Sequence, residues 1–379
     1  MPSLSTSSEP ALRPKRLVSL DALRGFDLFW IAGADSIGHA ALQIANGPVT
    51  HALADQLEHV AWEGFRFYDL IFPLFVFMSG LSLVLSLGGT IPSEKRTASL
   101  LKIGRRALLL YLLGLFYYRG GVGWENDFRY MGVLQRIALS YFGAGVLFVL
   151  LKPRQLLYTL VGILLGYWAL IALVPVPGVG PANYNQGTNL AHWVDANFLG
   201  GKKWNGTHDP EGLLSTVPAI GSAILGVFAG LLMVDPSKTP TKRVQLLLSA
   251  GITLLLTGYL WGFSFPIIKG IWTSSYVCVA GGWSALLLAL FYWLIDIRGW
   301  SGWAQPFIWI GVNSIAIYMA CNLLELGRLA KRITGGEVST TLDSFFRPGT
   351  SDLITALVAI GFCFALARLL HQRKIFLRI

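Results

Sequence analysis

Runs of apolar residues, each about 20 long and separated by short polar or basic segments, repeat from one end of the chain to the other. That is the length needed to cross a bilayer's hydrocarbon core. The pattern predicts spans at roughly 18–38, 67–87, 103–118, 131–151, 155–175, 212–233, 244–264, 274–295, 305–324 and 351–370. The stretches 155–175 and 264–274 carry the weakest signal. The expected fold class is all-α, a polytopic membrane helix bundle of about ten transmembrane helices. Residues 1–16 read as a polar cytoplasmic N-terminal tail, and 17–379 as a single transmembrane domain. Three polar segments, about 39–66, 176–211 and 325–350, are long enough to be more than turns, and all three fall on one side. Long loops in a compact protein tend to be functional. The second is rich in Asn, Gly and aromatic residues, a composition suited to a sugar or another polar substrate or to an ordered cap.

Composition agrees with this pattern. Hydrophobic residues make up 54% of the chain and charged residues 13%, about half the share usual in soluble proteins. The net charge of +10 invites a nucleic-acid reading, but its distribution argues against one. With the N-terminus inside, 18 basic residues lie at inner helix ends and inner loops and 10 lie outside. That asymmetry is the positive-inside rule, and it places both termini in the cytoplasm. The three cysteines, Cys278, Cys321 and Cys363, sit in apolar runs and form no CxxC motif. The N-terminus carries no short apolar run with a cleavage site, so a cleaved signal peptide is not expected.

Candidate chemistry concentrates where polar residues run into an apolar span. Residues 55–80, DQLEHVAWEGFRFYDLIFPLFVFMSG, bring Asp55, Glu58, His59, Glu63, Arg66 and Asp69 to the mouth of a helix. Titratable groups at that depth are costly, and they usually mark a site. His59 is the side chain there whose ordinary titration range lies nearest neutral pH. The first span, SLDALRGFDLFWIAGADSIGH, holds Asp21, Arg24, Asp27 and Asp35. Asp21 and Arg24 can pair at i,i+3, or Arg24 can meet a ligand phosphate. Asp35 lies about 16 Å further along an ideal helix, at the His59 end, where a carboxylate can orient an imidazole. Arg136 needs a partner, either Asp27, Asp35 or Asp69, or a ligand anion. Asn313 either bonds between helices or lines a cavity. Asp209-Pro210-Glu211-Gly212 reads as an ordinary helix start or as carboxylates facing an amino sugar. Histidines 39, 51 and 59 fit no zinc spacing, so no metal is expected.

Six blocks occur together and in order: RLVSLDALRGFDLFWIAGAD, LEHVAWEGFRFYDLIFPLFVFMSG, GVLQRIALSYF, DPEGLLSTVPAIGSAILGVFAG, IWTSSYV and PFIWIGVNSIAIY. Together they resemble the bacterial relatives of heparan-alpha-glucosaminide N-acetyltransferase, within the transmembrane acyltransferase superfamily. The resemblance covers nearly the whole chain, and its most specific parts are LDALRGFD and the block around His59.

The resemblance implies a multi-pass enzyme, in a bacterial inner (plasma) membrane, that moves an acetyl group from cytosolic acetyl-CoA to an amine or hydroxyl of a carbohydrate-type acceptor outside. His59 falls at the family's active-site histidine, acting as general base or as the acetyl carrier. Asp35, where lysosomal members carry asparagine, would orient it. Arg24, Arg105, Arg106 and Arg136 are the expected contacts for CoA, with Asn313 or backbone amides polarising the thioester. Trp62, Asp69, Asp209 and Glu211 are the candidate acceptor contacts. The expected partners are therefore the lipid bilayer, acyl-CoA and the acceptor, with no nucleic acid; a homodimer is among the oligomeric states left open. The rival reading is a proton-coupled transporter or lipid-linked sugar flippase, which intramembrane Asp and Arg also suit. Paired repeats with broken helices, the usual transporter signature, are not evident in the sequence.

Overall fold

The computed structural model describes residues 17–119 and 128–376, apart from the side chains of Ala34, Asp35 and Arg119. The tail expected at 1–16 lies outside the described residues. Among those described the chain is helical, with isolated bridges in place of strands.

The first half contains α1 (Val18–Phe29), α2 (Asp35–Ile44), α3 (Pro48–Gln56), α4 (Phe67–Leu87), α5 (Arg96–Arg119), α6 (Val133–Leu150), α7 (Pro153–Leu173) and α8 (Leu190–Phe198). The second half contains α9 (Thr216–Val234), α10 (Pro240–Gly262), α11 (Ser274–Phe291), α12 (Gln305–Val312), α13 (Ser314–Leu323), α14 (Leu326–Thr334), α15 (Glu337–Phe345) and α16 (Thr350–Gln372). A π-helical turn, Tyr292–Ile297, extends α11.

Among the described residues, seven helices are long and apolar enough to cross a membrane: α4, α6, α7, α9, α10, α11 with its extension, and α16. The pair α12–α13 makes an eighth if counted as one span bent by 85° at Asn313. The other two expected spans differ for local reasons. The span at 18–38 is not one helix: α1 ends after 12 residues, and a π turn at Trp30–Ala34 follows. Gly33 has φ +116° there, a conformation open to glycine and strained for other residues. The span at 103–118 lies inside α5, whose first half carries Arg96, Lys102, Arg105 and Arg106 and so dilutes its apolar character.

The three long segments are not bare loops. The first holds α2 and α3, the second α8, and the third α14 and α15. In the second, Asn189 caps α8 by accepting from the His192 backbone N–H at 3.0 Å.

The bundle is centred on α4. This helix packs along α9, where a side chain at Gly226 would run into the Phe77 carbonyl, so the two backbones can meet. It also touches α1, α6 and α11. The most deeply buried large side chains include Trp272, Tyr276 and Arg136, so the core is not wholly apolar.

Candidate active site

The N-terminus of α4 is built by one carboxylate. Asp69 stands at the third position of the helix, and its Oδ2 accepts from the backbone N–H groups of Arg66 (3.1 Å) and Val60 (3.3 Å). The Arg66 N–H is one that a helix start leaves open, and a negative charge is favoured there, while the Val60 N–H ties in the preceding loop. The other oxygen, Oδ1, lies 2.8 Å from Nδ1 of His59. Because an ionised carboxylate only accepts, Nδ1 carries the hydrogen, and in the neutral form of the ring the lone pair is at Nε2. The Asp69 side chain is wholly buried, whereas the His59 side chain is 52% exposed. A sheltered acceptor thus fixes a ring that solvent-side molecules can reach.

Pro73 completes the arrangement. It lacks an N–H and so cannot bond the carbonyl four residues back, which is that of Asp69. That carbonyl instead accepts from the Tyr276 hydroxyl of α11 at 2.8 Å. The proline, the tyrosine and the carboxylate therefore form one unit.

A third charged group, not anticipated from the sequence, enters from the loop between α10 and α11. Lys269 Nζ lies 3.0 Å from Nδ1 and 3.3 Å from Nε2 of His59, and 3.5 Å from Asp69. Its loop is fixed to the His59 loop by a bridge between Glu63 and Ile268 and by the Gly64 N–H donating to the Ile267 carbonyl at 2.9 Å. Burial lowers the Lys269 pKa from its ordinary value, opposed by Asp69 and Glu211, which favour its charged form. The only signal in the sequence is a lone lysine in the apolar run PIIKGIW.

Asp69 is a carboxylate at the His59 ring that the sequence reading did not assign there, and the Asp35 side chain, expected at that ring, lies outside the described residues. The ideal-helix extrapolation does not survive the break at Gly33. Asp69 is correspondingly not a free acceptor contact, since both its oxygens are engaged. Trp62 is half-buried. Its indole N–H donates to the Tyr184 carbonyl at 2.9 Å and its ring meets His192 edge-on, so it clamps the second long segment against the His59 loop.

Asp209 and Glu211 are also engaged, as partners of Arg129 at 2.6 Å and 2.5 Å. All three residues are buried. Burial works to raise the Asp209 pKa, but the Arg129 bond wins and holds it below its ordinary value. For Glu211 burial prevails and its pKa is raised. These carboxylates hold a turn together, and they do not cap a helix: α9 starts later, at Thr216. Arg136 lies beneath this cluster, donating to the Gly212 carbonyl and Ser215 with its guanidinium 4.8 Å from the Trp272 ring centre. Neither Asp27 nor Asp69 is its hydrogen-bond partner, and it is not among the residues lining the basic cavity described next.

Arg24, Arg105 and Arg106 do come together. They line a cavity of about 1120 Å³ with Lys102, Asp21, Tyr141 and a row of serines, Ser79, Ser82 and Ser86. Its volume lies just above the usual range of small-molecule pockets, about 300–1,000 Å³. Arg24 meets Asp21 at 3.5 Å and bonds to Ser82, while Arg106 lies 4.9 Å over the Tyr141 ring with its Nε buried and unpartnered. Asn313 sits at the α12–α13 break and donates to the Ile375 carbonyl at 2.9 Å. Its neighbours Val312 and Ser314 line the cavity, so the break at Asn313 shapes its wall.

The cavity and the His59 cluster share α4. Tyr68, Phe72, Phe75, Ser79, Ser82 and Ser86 recur at alternating steps of four and three, which places them on one face of the helix. The Tyr68 ring is 4.7 Å from that of His59, and the last four residues line the cavity. From Asp69 to Ser86 the helix rises about 26 Å, close to the thickness of a hydrocarbon core.

Comparison with known proteins gives one coherent result. A family model described as heparan-alpha-glucosaminide N-acetyltransferase, catalytic, matches residues 16–257. The human heparan-alpha-glucosaminide N-acetyltransferase is 29% identical over an alignment of 371 residues that covers 82% of this chain and 53% of the relative. The mouse protein of the same name is 30% identical over 327 residues, covering 71% of this chain and 49% of the relative. The chain thus spans about half the length of these curated relatives. Lys269 lies beyond the segment that the family model matches.

Proposed function

The chain belongs to the heparan-alpha-glucosaminide N-acetyltransferase catalytic family, and on that premise we propose that it moves an acetyl group across a membrane. The donor is acetyl-CoA from the cytoplasmic side. The acceptor is an amine or hydroxyl of a sugar-type molecule on the other side. One observation carries the reading: a basic cavity and an imidazole–carboxylate pair lie toward opposite ends of α4, joined by one face of that helix.

The cavity suits the donor chemically. Arg24, Lys102, Arg105 and Arg106 provide four cations against the single carboxylate of Asp21, a composition suited to the phosphates of CoA. The unpartnered Nε of Arg106 is a donor in need of an acceptor. The serine row and the apolar wall of Phe75, Met78 and Leu85 suit a mixed polar and apolar arm reaching along α4. Acetyl-CoA brings an activated thioester; the protein holds it and directs its carbonyl toward His59.

At the far end Asp69 fixes the His59 ring so that Nε2 faces the reacting groups. In one route Nε2 takes the proton from the acceptor's amine or hydroxyl as that atom attacks the thioester carbonyl carbon and the C–S bond breaks. In the other, Nε2 attacks the thioester carbonyl carbon, the C–S bond breaks and the CoA thiolate leaves; the acceptor then attacks the acetyl carbon, the C–N bond to His59 breaks, and the acceptor's proton ends on the thiolate. Both need the neutral ring with the hydrogen at Nδ1. Trp62 and the second long segment border the acceptor side.

The reading is tested by giving purified protein acetyl-CoA and a panel of amino sugars and following free thiol. Thiol release that depends on an amino sugar is the expected result. Absence of release with every acceptor, together with absence of CoA binding, would refute it.

A further inference from the structure

We propose that Lys269 is a positioning residue that keeps His59 neutral and Asp69 ionised. The inference deepens the proposed function and rests on it for the role of His59. It rests on geometry for the effect of the lysine.

The starting point is the cost of the lysine's position. Lysine is among the residues least often buried, yet the Lys269 side chain is only 21% exposed. Its turn is fixed on both sides. The Trp272 N–H donates to the Lys269 carbonyl at 3.0 Å, and the Ile268 N–H donates to the Thr273 hydroxyl at 3.0 Å. On the other side Gly270 packs against the Trp62 ring. The backbone therefore directs the ammonium into the site, where it meets His59 and Asp69.

The sign of the effect follows from charge. A carboxylate against an imidazole favours the imidazolium, because the pair attracts. With Asp69 alone, 2.8 Å from Nδ1, His59 would be pulled toward its protonated form. A protonated ring has no lone pair and can act neither as base nor as nucleophile. The Lys269 ammonium, 3.3 Å from Nε2, opposes this. Lying 3.0 Å from Nδ1 and 3.3 Å from Nε2, it repels the ring once both nitrogens carry protons. Two cations cannot share the site at low cost, so Asp69 is paired by Lys269 and the ring remains neutral.

The other charged and titratable groups around the ring do not reverse this balance. Tyr68 of α4 faces the ring at 4.7 Å. Arg66 approaches the His59 backbone carbonyl at 3.5 Å, but its charge is taken up by Asp55 and Glu58. Glu58 pairs in turn with His39 at 3.0 Å. Glu211 acts on Lys269, favouring its charged form.

The test reads His59 itself, apart from any acyl transfer. Diethyl pyrocarbonate modifies neutral imidazole, and the half-exposed ring is open to it. Full-length wild type, Lys269→Met, Lys269→Gln and Lys269→Arg are treated across a pH series, and modification of the His59 peptide is quantified by mass spectrometry. In the two neutral variants the loss of modification on acidification should begin at higher pH, by about one unit, a tenfold change in the neutral-to-protonated ratio. Lys269→Arg should follow wild type. The acid limb of acyl transfer should move in the same direction as the modification profile. Coincident profiles for wild type and whichever neutral variant folds would overturn the proposal, as would Lys269→Arg behaving like the neutral variants. If the modification profile shifts but wild type transfers no acetyl group, the proposed function fails and the role of Lys269 in setting the charge on His59 stands.

Discussion

Asp69 serves three neighbours at once: it closes the start of α4, holds the His59 ring and pairs Lys269. Its Oδ2 also accepts from the Val60 N–H. Changing Asp69 to Asn keeps the volume but removes the charge and offers an amide where an acceptor is needed. Transfer should then fall by about 10²–10⁴-fold, the range general-base catalysis contributes, while CoA binding is unchanged. A variant transferring at the wild-type rate would show that the Asp69–His59 contact is not catalytic. At this scale His59 and the basic trio Arg24, Arg105 and Arg106 were legible in the sequence, because charges in apolar runs stand out. The partner of His59 was not. The reading of Asp35 at His59 rested on helical rise along an unbroken first span, which the turn at Gly33 interrupts. Lys269 was not legible either, since one lysine in a short apolar loop has no pattern around it.

The element that matters most is α4, whose residues 67–87 were read from the sequence with the boundaries the structure has. Its length and hydropathy made it unambiguous. Its proline carries a consequence that sequence alone does not convey: the freed Asp69 carbonyl is satisfied by Tyr276, which ties the start of α4 to α11. Tyr276→Phe leaves that carbonyl buried without a partner, which should cost about 1–3 kcal/mol of stability. Thermal unfolding in detergent measures it, and a variant as stable as wild type would mean the carbonyl finds another donor. The helices expected at 18–38 and 305–324 are broken instead, the first at Gly33 and the second at Asn313. Hydropathy reports that a stretch is apolar, not that its backbone is continuous. A positive φ or an 85° bend leaves no trace in it. The same limit applies to the long segments, where α2, α3, α8, α14 and α15 are too short and polar to register as spans.

On the scale of the molecule, the account depends on two sites that one helix separates by about 26 Å. The basic cavity lies at one end, which is the cytoplasmic end in the proposed orientation. The His59 cluster lies at the other end, bordered by the second long segment through Trp62. The sequence conveyed this separation, because both the charge asymmetry and the order of the blocks lie along the chain. It did not convey that the outer acidic residues Asp209 and Glu211 are consumed by Arg129, because that pairing joins residues about 80 apart. The central claim is that His59 performs the transfer while the cavity holds the donor. It is tested most directly by measuring CoA binding and acceptor-dependent thiol release on the same preparations of wild type and His59→Ala. The account predicts unchanged CoA affinity and abolished release in the variant. Release at the wild-type rate by His59→Ala would contradict it.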